Sequence, residues 1–220
     1  MPAKPGNQLR ALLFGEFLDL PAAHGVPTET RQLFAQADDD LARGDTQAAL
    51  RTLETIGLRR DLESIYRINA WRLLRQAGGT PPTKVKDEVL GVVIEVGVEN
   101  GGDILAAYDD HSARYYNYSG AGVVWMRPDP SLDTQIDAVL NAAGAILPGT
   151  GPWESPRRPP PTAARLRLNI LTAVGLHFGE GPFDALDRDP MARPLVRAAT
   201  HLMAKLTSSH LDQAEPGQSN

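Results

Sequence analysis

The sequence predicts an α+β chain: an antiparallel meander-plus-hairpin sheet of about six strands with two helices on one face, preceded by an N-terminal helical module. Three observations point there. Between residues 89 and 126 side-chain character alternates with a period of two, broken at short intervals by turns rich in Gly and Asp. Upstream, apolar residues recur at helical spacing. Downstream, Leu132, Ile136, Val139, Leu140, Ala143 and Ile146 form one helical stripe, followed by a second pair of strand-like runs and a last amphipathic segment.

In the N-terminal module, Leu9, Leu12, Leu13, Phe14, Phe17 and Leu18 mark a first helix that Pro21 and Gly25 end. Thr28 opens a second, with Leu33, Phe34, Ala37 and Leu41 on one face. Asp45 caps a third carrying Ala48, Ala49, Leu53 and Ile56, and a fourth runs from Asp61 to Gln76 with Leu62, Ile65, Ile68 and Trp71 inward. The Gly44-Asp45 turn resembles that of a tetratricopeptide hairpin, but a stacked array needs about three repeats and only one such hairpin occurs. The module therefore spans residues 1–78, and Gly78-Gly79-Thr80-Pro81-Pro82 begins a linker over 79–87.

The sheet domain spans 88–206. Leu90, Val92, Ile94, Val96 and Val98 face one side of its first strand, and Asn100-Gly101-Gly102 supplies a hairpin turn. Ile104–Tyr108, Ser112–Tyr118 and Val123–Met126 follow, joined by Asp109-Asp110-His111 and Ser119-Gly120-Ala121-Gly122. Asp129 and Pro130 are placed to open the next helix. After a Pro/Arg-rich connection, Leu166, Leu168 and Ile170 begin the last hairpin. A three-residue loop, Ala173-Val174-Gly175, sets Ile170 across from Phe178 and keeps Leu168, Ile170 and Phe178 on the core face, with Arg165, Arg167, Asn169 and His177 opposite. A final helix opens near Asp189-Pro190 or Arg193-Pro194, and residues 207–220 form a disordered tail.

Composition excludes several classes. The 220 residues include no cysteine, which removes disulfides, thiolate metal sites and thiol nucleophiles and fits a reducing, cytoplasmic setting. No apolar run reaches the roughly 18 residues a membrane span needs, and Glu16 and Asp19 interrupt any N-terminal signal. The net charge is −5, and residues 84–147 hold four basic side chains against ten acidic ones. That balance disfavours nucleic acid. No nucleophile elbow, zinc-protease pair or phosphate-binding loop occurs, so no cofactor and no metal is expected.

Leu90-Gly91-Val92-Val93-Ile94-Glu95, Leu105-Ala106-Ala107-Tyr108, the segment Ser112–Gly120, Gly151-Pro152-Trp153, the segment Gly175–Phe183 and Asp189-Pro190-Met191 resemble a family of bacterial hypothetical proteins over residues 88–206. The resemblance implies a bacterial origin and one coherent domain, and carries over no catalytic residue.

Two surfaces emerge as candidates. Arg114, Tyr116, Arg167, Asn169 and His177 on a polar sheet face form a site for a small anionic ligand or nucleotide. Leu12, Phe14 and Phe17, with Trp153, Arg157 and Arg158 of the Pro/Arg connection, are candidate contacts for another protein chain, a second copy or an unrelated one. A hydrolase using His177 with Glu180 or Asp110 is the distant third, since neither a nucleophile nor an orienting acid is signposted. The leading expectation is a non-enzymatic protein-interaction module, an adaptor or assembly subunit.

Overall fold

The computed structural model describes residues 5–17, 27–99 and 101–213; Leu18, Pro21, Gly25, Asn100 and residues 214–220, used above, lie outside these. The chain divides into two compact units, residues 1–90 with 171–176, and residues 91–170 with 177–220.

In the first unit, helices α1 (Pro5–Leu13), α2 (Thr28–Ala42), α3 (Thr46–Leu58) and α4 (Ser64–Gln76) bury one apolar stripe each. Helix α3 starts where the expected cap sits: the Asp45 carboxylate accepts from the Ala48 N–H at 3.0 Å. Arg72 of α4 binds the N-terminal segment by donating to the carbonyls of Gly15 (3.2 Å) and Phe17 (3.0 Å). Arg75 donates to the Ala173 carbonyl, within the hairpin tip that belongs to this unit. Burial pulls the Arg75 guanidinium down to about 10, which leaves it charged at neutral pH.

The six-stranded antiparallel sheet has the order β4-β3-β2-β1-β5-β6, with β1 (Val89–Val98), β2 (Gly101–Tyr108), β3 (Ala113–Tyr116), β4 (Gly122–Trp125), β5 (Arg165–Thr172) and β6 (Gly175–Pro182). The expected meander forms, in a register that pairs Val93 with Ala106, Ala106 with Arg114 and Arg114 with Val124. Helices α5 (Asp133–Ile146) and α7 (Arg193–Gln213) pack on each other and on one sheet face, as the apolar stripes predict. Both faces of β1 exclude solvent, with Val92 1% and Val93 0% exposed. Among the described residues, no helix is long and apolar enough to cross a membrane.

Four local expectations are corrected. Helix α5 starts at Asp133 rather than Asp129, because the Asp129 carboxylate accepts from Ser131 N–H (2.8 Å) and holds a turn there. A short helix, α6 (Phe183–Arg188), lies between the last hairpin and the final helix, where the sequence pattern predicts no element. Helix α7 runs past Thr207, since the Thr207 and Ser208 hydroxyls donate back to the carbonyls of Met203 (3.0 Å) and Ala204 (3.0 Å) and are satisfied inside the helix.

The fourth concerns the last hairpin. Its loop has two residues, Ala173 and Val174, not three, and the faces of β6 exchange. His177 lies with Leu168 and Ile170 on the helix-covered side, while Phe178 lies under the Arg167 guanidinium on the other. Charge decides it. Arg165 and Arg167 both bind Glu180, and the three-residue loop would have turned that carboxylate into the apolar core.

Candidate functional site

The polar sheet face is built from neighbouring strands. Glu95 of β1 shares a face with Val93 by alternation, and Val93 aligns with Ala106 and Arg114 across β2 and β3. From β5, Asn169 donates its amide to the Val93 carbonyl (2.8 Å) and to Glu95 Oε2 (3.2 Å). Arg114, Tyr116, Arg167 and Asn169 therefore do share one face, as alternation predicts. His177 does not join them.

What surrounds Arg167 argues for structure over ligand capture. Its Nε and Nη2 donate to Glu180 Oε2 at 2.9 and 2.7 Å, and Nη1 reaches the carbonyl of Pro159 (2.8 Å) and Glu95 Oε2 (3.5 Å). The side chains of Arg167 and Glu95 are each 4% exposed. An incoming anion would have to displace two carboxylates from a buried guanidinium, whose pairing they already supply. Burial pushes the Glu180 carboxyl upward, but the hydrogen bonds and charges of Arg165 and Arg167 outweigh it and hold the group below the ordinary carboxylate range.

Arg114 is also occupied: its guanidinium sits 5.6 Å from the ring centroid of fully buried Tyr108. Burial raises the Tyr108 phenol, with Arg114 pulling the other way. Tyr116 is half-buried at the same face.

The expected partner contacts fare differently from one another. Phe14 is buried in the helical unit and Phe17 meets Tyr66 edge-on at 6.0 Å, so these apolar side chains serve their own bundle, with Leu12 half-buried beside them. In the Pro/Arg connection, the Trp153 indole donates to the Pro156 carbonyl (3.1 Å) and packs edge-on against Phe178 at 5.1 Å. Arg158 caps both rings at 5.2 and 5.4 Å, and Arg157 is half-buried. Gly97 admits this connection: a Cβ there would lie 1.9 Å from the Thr162 carbonyl oxygen. These residues fasten a stiff segment to the sheet.

The sites that sequence missed are hollows on the helix side. The larger, about 260 Å³, lies between α7 and strands β1 to β3. Ile94, Val96, Leu105, Leu166, Val196 and Met203 supply most of its wall, and Phe183, 45% exposed, stands at its lip. Its polar residues are Thr200 at the rim and one pair, in which the Tyr115 hydroxyl donates to Asp103 Oδ2 at 2.8 Å. Burial and that carboxylate push the Tyr115 phenol up to about 12. Alternation had put Tyr115 on this face, but nothing local told that α7 would leave a gap above it. The smaller hollow holds His177 and Thr150, whose ring Nδ1 and hydroxyl lie 3.0 Å apart.

Asp109, Asp110 and His111 form a turn. His111 takes a left-handed φ of 61°, Asp110 accepts from Ser112 N–H (2.8 Å), and His111 Nε2 pairs with Asp137 of α5 at 3.1 Å. Glu180 is engaged by both arginines, and the Asp110 carboxylate accepts from Ser112 N–H. Among the described residues, no group of three or more His, Asp or Glu side chains is placed to hold a metal ion. No family model, no curated protein and no solved structure matches the chain.

Proposed function

We propose that the chain is a non-enzymatic protein-interaction module, an adaptor or assembly subunit of a bacterial cytoplasm, and that it engages its partner through the groove between α7 and β1 to β3. The observation that carries this is the groove itself: about 260 Å³ of almost wholly apolar wall opening beside an exposed phenylalanine. A large apolar side chain leaving water gains roughly 1.5–3 kcal/mol on burial, and the groove is wide enough to take one. Phe183 extends the apolar surface outward, and the Tyr115–Asp103 pair gives it one fixed polar landmark. Concave apolar surface with few convergent polar groups is the usual form of a recognition site. The polar face speaks against anion binding as its alternative, because Arg167 is already saturated by carboxylates and carbonyls.

The test places a photoactivatable benzophenone side chain at position 183 of the full chain in bacterial cells. A discrete adduct with another polypeptide is expected, and Thr200→Trp, which fills the groove from its exposed rim, removes it while leaving the circular dichroism spectrum unchanged. An absent adduct, or one indifferent to Thr200→Trp, overturns the proposal.

A further inference from the structure

Strand β4 is one edge of the sheet, and its ladder fixes which backbone groups face outward. Asn117 N–H donates to the Ala121 carbonyl at 2.9 Å, which makes these two a hydrogen-bonded pair. From there the register runs Tyr116 to Gly122, Tyr115 to Val123, Arg114 to Val124 and Ala113 to Trp125. Bonded and non-bonded pairs alternate along an antiparallel ladder. Val123 and Trp125 therefore bond to β3, while Gly122 and Val124 turn their N–H and C=O away from it. Ala121, Gly122, Val124 and Met126 are all exposed. Outward donors and acceptors at this spacing are a template for one kind of ligand, another extended chain.

The edge lacks the usual protection. From Ala121 to Met126 there is no charge and no proline, the devices that keep most edges unpaired. The opposite edge, β6, carries Glu180 and ends in Pro182. Val124 (49% exposed) and Met126 (43%) instead present apolar side chains, and alternation puts them on one face. Beside them the Tyr116 ring lies over Gly122, where a Cβ would stand 2.3 Å from it.

This stretch is complementary to itself. About a two-fold axis at Val124, an antiparallel pairing joins outward groups to outward groups. Val124 meets Val124 of the second copy, and Gly122 meets its Met126. The largest side chain falls opposite the missing one, and the thioether reaches the Tyr116 ring, a favourable sulfur–aromatic contact. On the other face Val123 meets Trp125. Arg127 is carried to the far hairpin end, opposite Ala121, so no like charges face each other across the strands. We infer that β4 is a self-association edge, at which two copies of this chain pair antiparallel about Val124 and continue their sheets into one. The contact is isologous, so it closes at two. Five residues a side are few beside the roughly 20–30 of a standard interface, which makes the dimer weak and its population dependent on concentration.

Sedimentation velocity of the full chain from about 10 μM to about 0.5 mM, a span suited to a small interface, is expected to show the mass rising from one chain toward two. Val124→Lys sets like charges directly opposite each other and weakens the dimer at least about tenfold, with the circular dichroism spectrum and melting temperature unchanged. The chain has no cysteine, so single cysteines report the register. Val124→Cys is oxidised by diamide to a disulfide-linked dimer, since bonded pairs lie about 5.5 Å apart at Cα. Ser119→Cys, at the exposed hairpin end, is not. A chain monomeric at the highest concentration, a dimer that survives Val124→Lys, or oxidation as ready at position 119 as at 124 overturns the inference; the first outcome leaves the edge to a strand of another protein. Thr200→Trp leaves the dimer intact and Val124→Lys leaves the position-183 adduct, so this contact and the groove fail separately.

Discussion

Replacing Glu180 by alanine removes the carboxylate on which two arginines converge. Arg167 donates to it through Nε (2.9 Å) and Nη2 (2.7 Å), and its side chain is 4% exposed. With Glu180 gone, the remaining carboxylate is Glu95, at 3.5 Å from Nη1 and already shared with Asn169. A buried guanidinium that loses its main counter-charge costs about 3–5 kcal/mol. Arg165→Ala is the control, because that side chain is 39% exposed and its pair with Glu180 is worth about 0–1 kcal/mol in solvent. Glu180→Gln keeps an acceptor without the charge and falls between the two. Urea denaturation followed by circular dichroism gives the free energies, provided the denaturant slope stays constant across the variants. The pH dependence has a definite sign. Because the folded Glu180 carboxyl lies below its unfolded value, the network's contribution is present above the ordinary carboxylate pKa of about 4.3 and is lost as pH falls through the lower folded value. Glu180→Gln flattens that acid limb. If Glu180→Ala costs no more than Arg165→Ala, the account of this face as a closed ionic structure is wrong.

Two further outcomes follow from the same geometry. The Tyr115 phenol, pushed up to about 12 by burial and by Asp103, contributes stability that is present below the ordinary tyrosine value of about 10 and disappears as pH rises through 12; an ultraviolet difference titration should show a late phenol that Tyr115→Phe deletes, separate from buried Tyr108, which is also raised, and a Tyr115 that ionises with the exposed tyrosines contradicts the burial. Gly97→Ala forces the backbone at Thr162 away from the sheet, since the new Cβ would stand 1.9 Å from a carbonyl oxygen that cannot rotate aside; a loss of roughly 1–3 kcal/mol and faster tryptic cleavage after Arg157 are expected, and wild-type cleavage kinetics would show that the connection is not held there.

The sequence by itself determined the elements and most of the sheet. Alternation in Val89–Val98, the glycine turn after it and the tyrosine strand beyond are short-range features, and hairpin register follows from turn length and side-chain period. The same locality placed Asp45 as a cap and Leu132, Ile136, Val139 and Ala143 in the core. Tertiary structure decided which face each residue of β6 occupies. Periodicity separates one side of a strand from the other but does not say which neighbour covers each side, and here an ion pair outweighs a tidy apolar stripe. Arg167 and Glu180 are thirteen residues apart, and Glu95 is 72 residues from Arg167; no local pattern encodes that three-way meeting, yet it sent Phe178 to the arginines and His177 to the helices. The two hollows belong to the same category. They are set by how closely α6 and α7 approach the sheet, a property of packing over the whole unit that Tyr115 does not announce in its own neighbourhood.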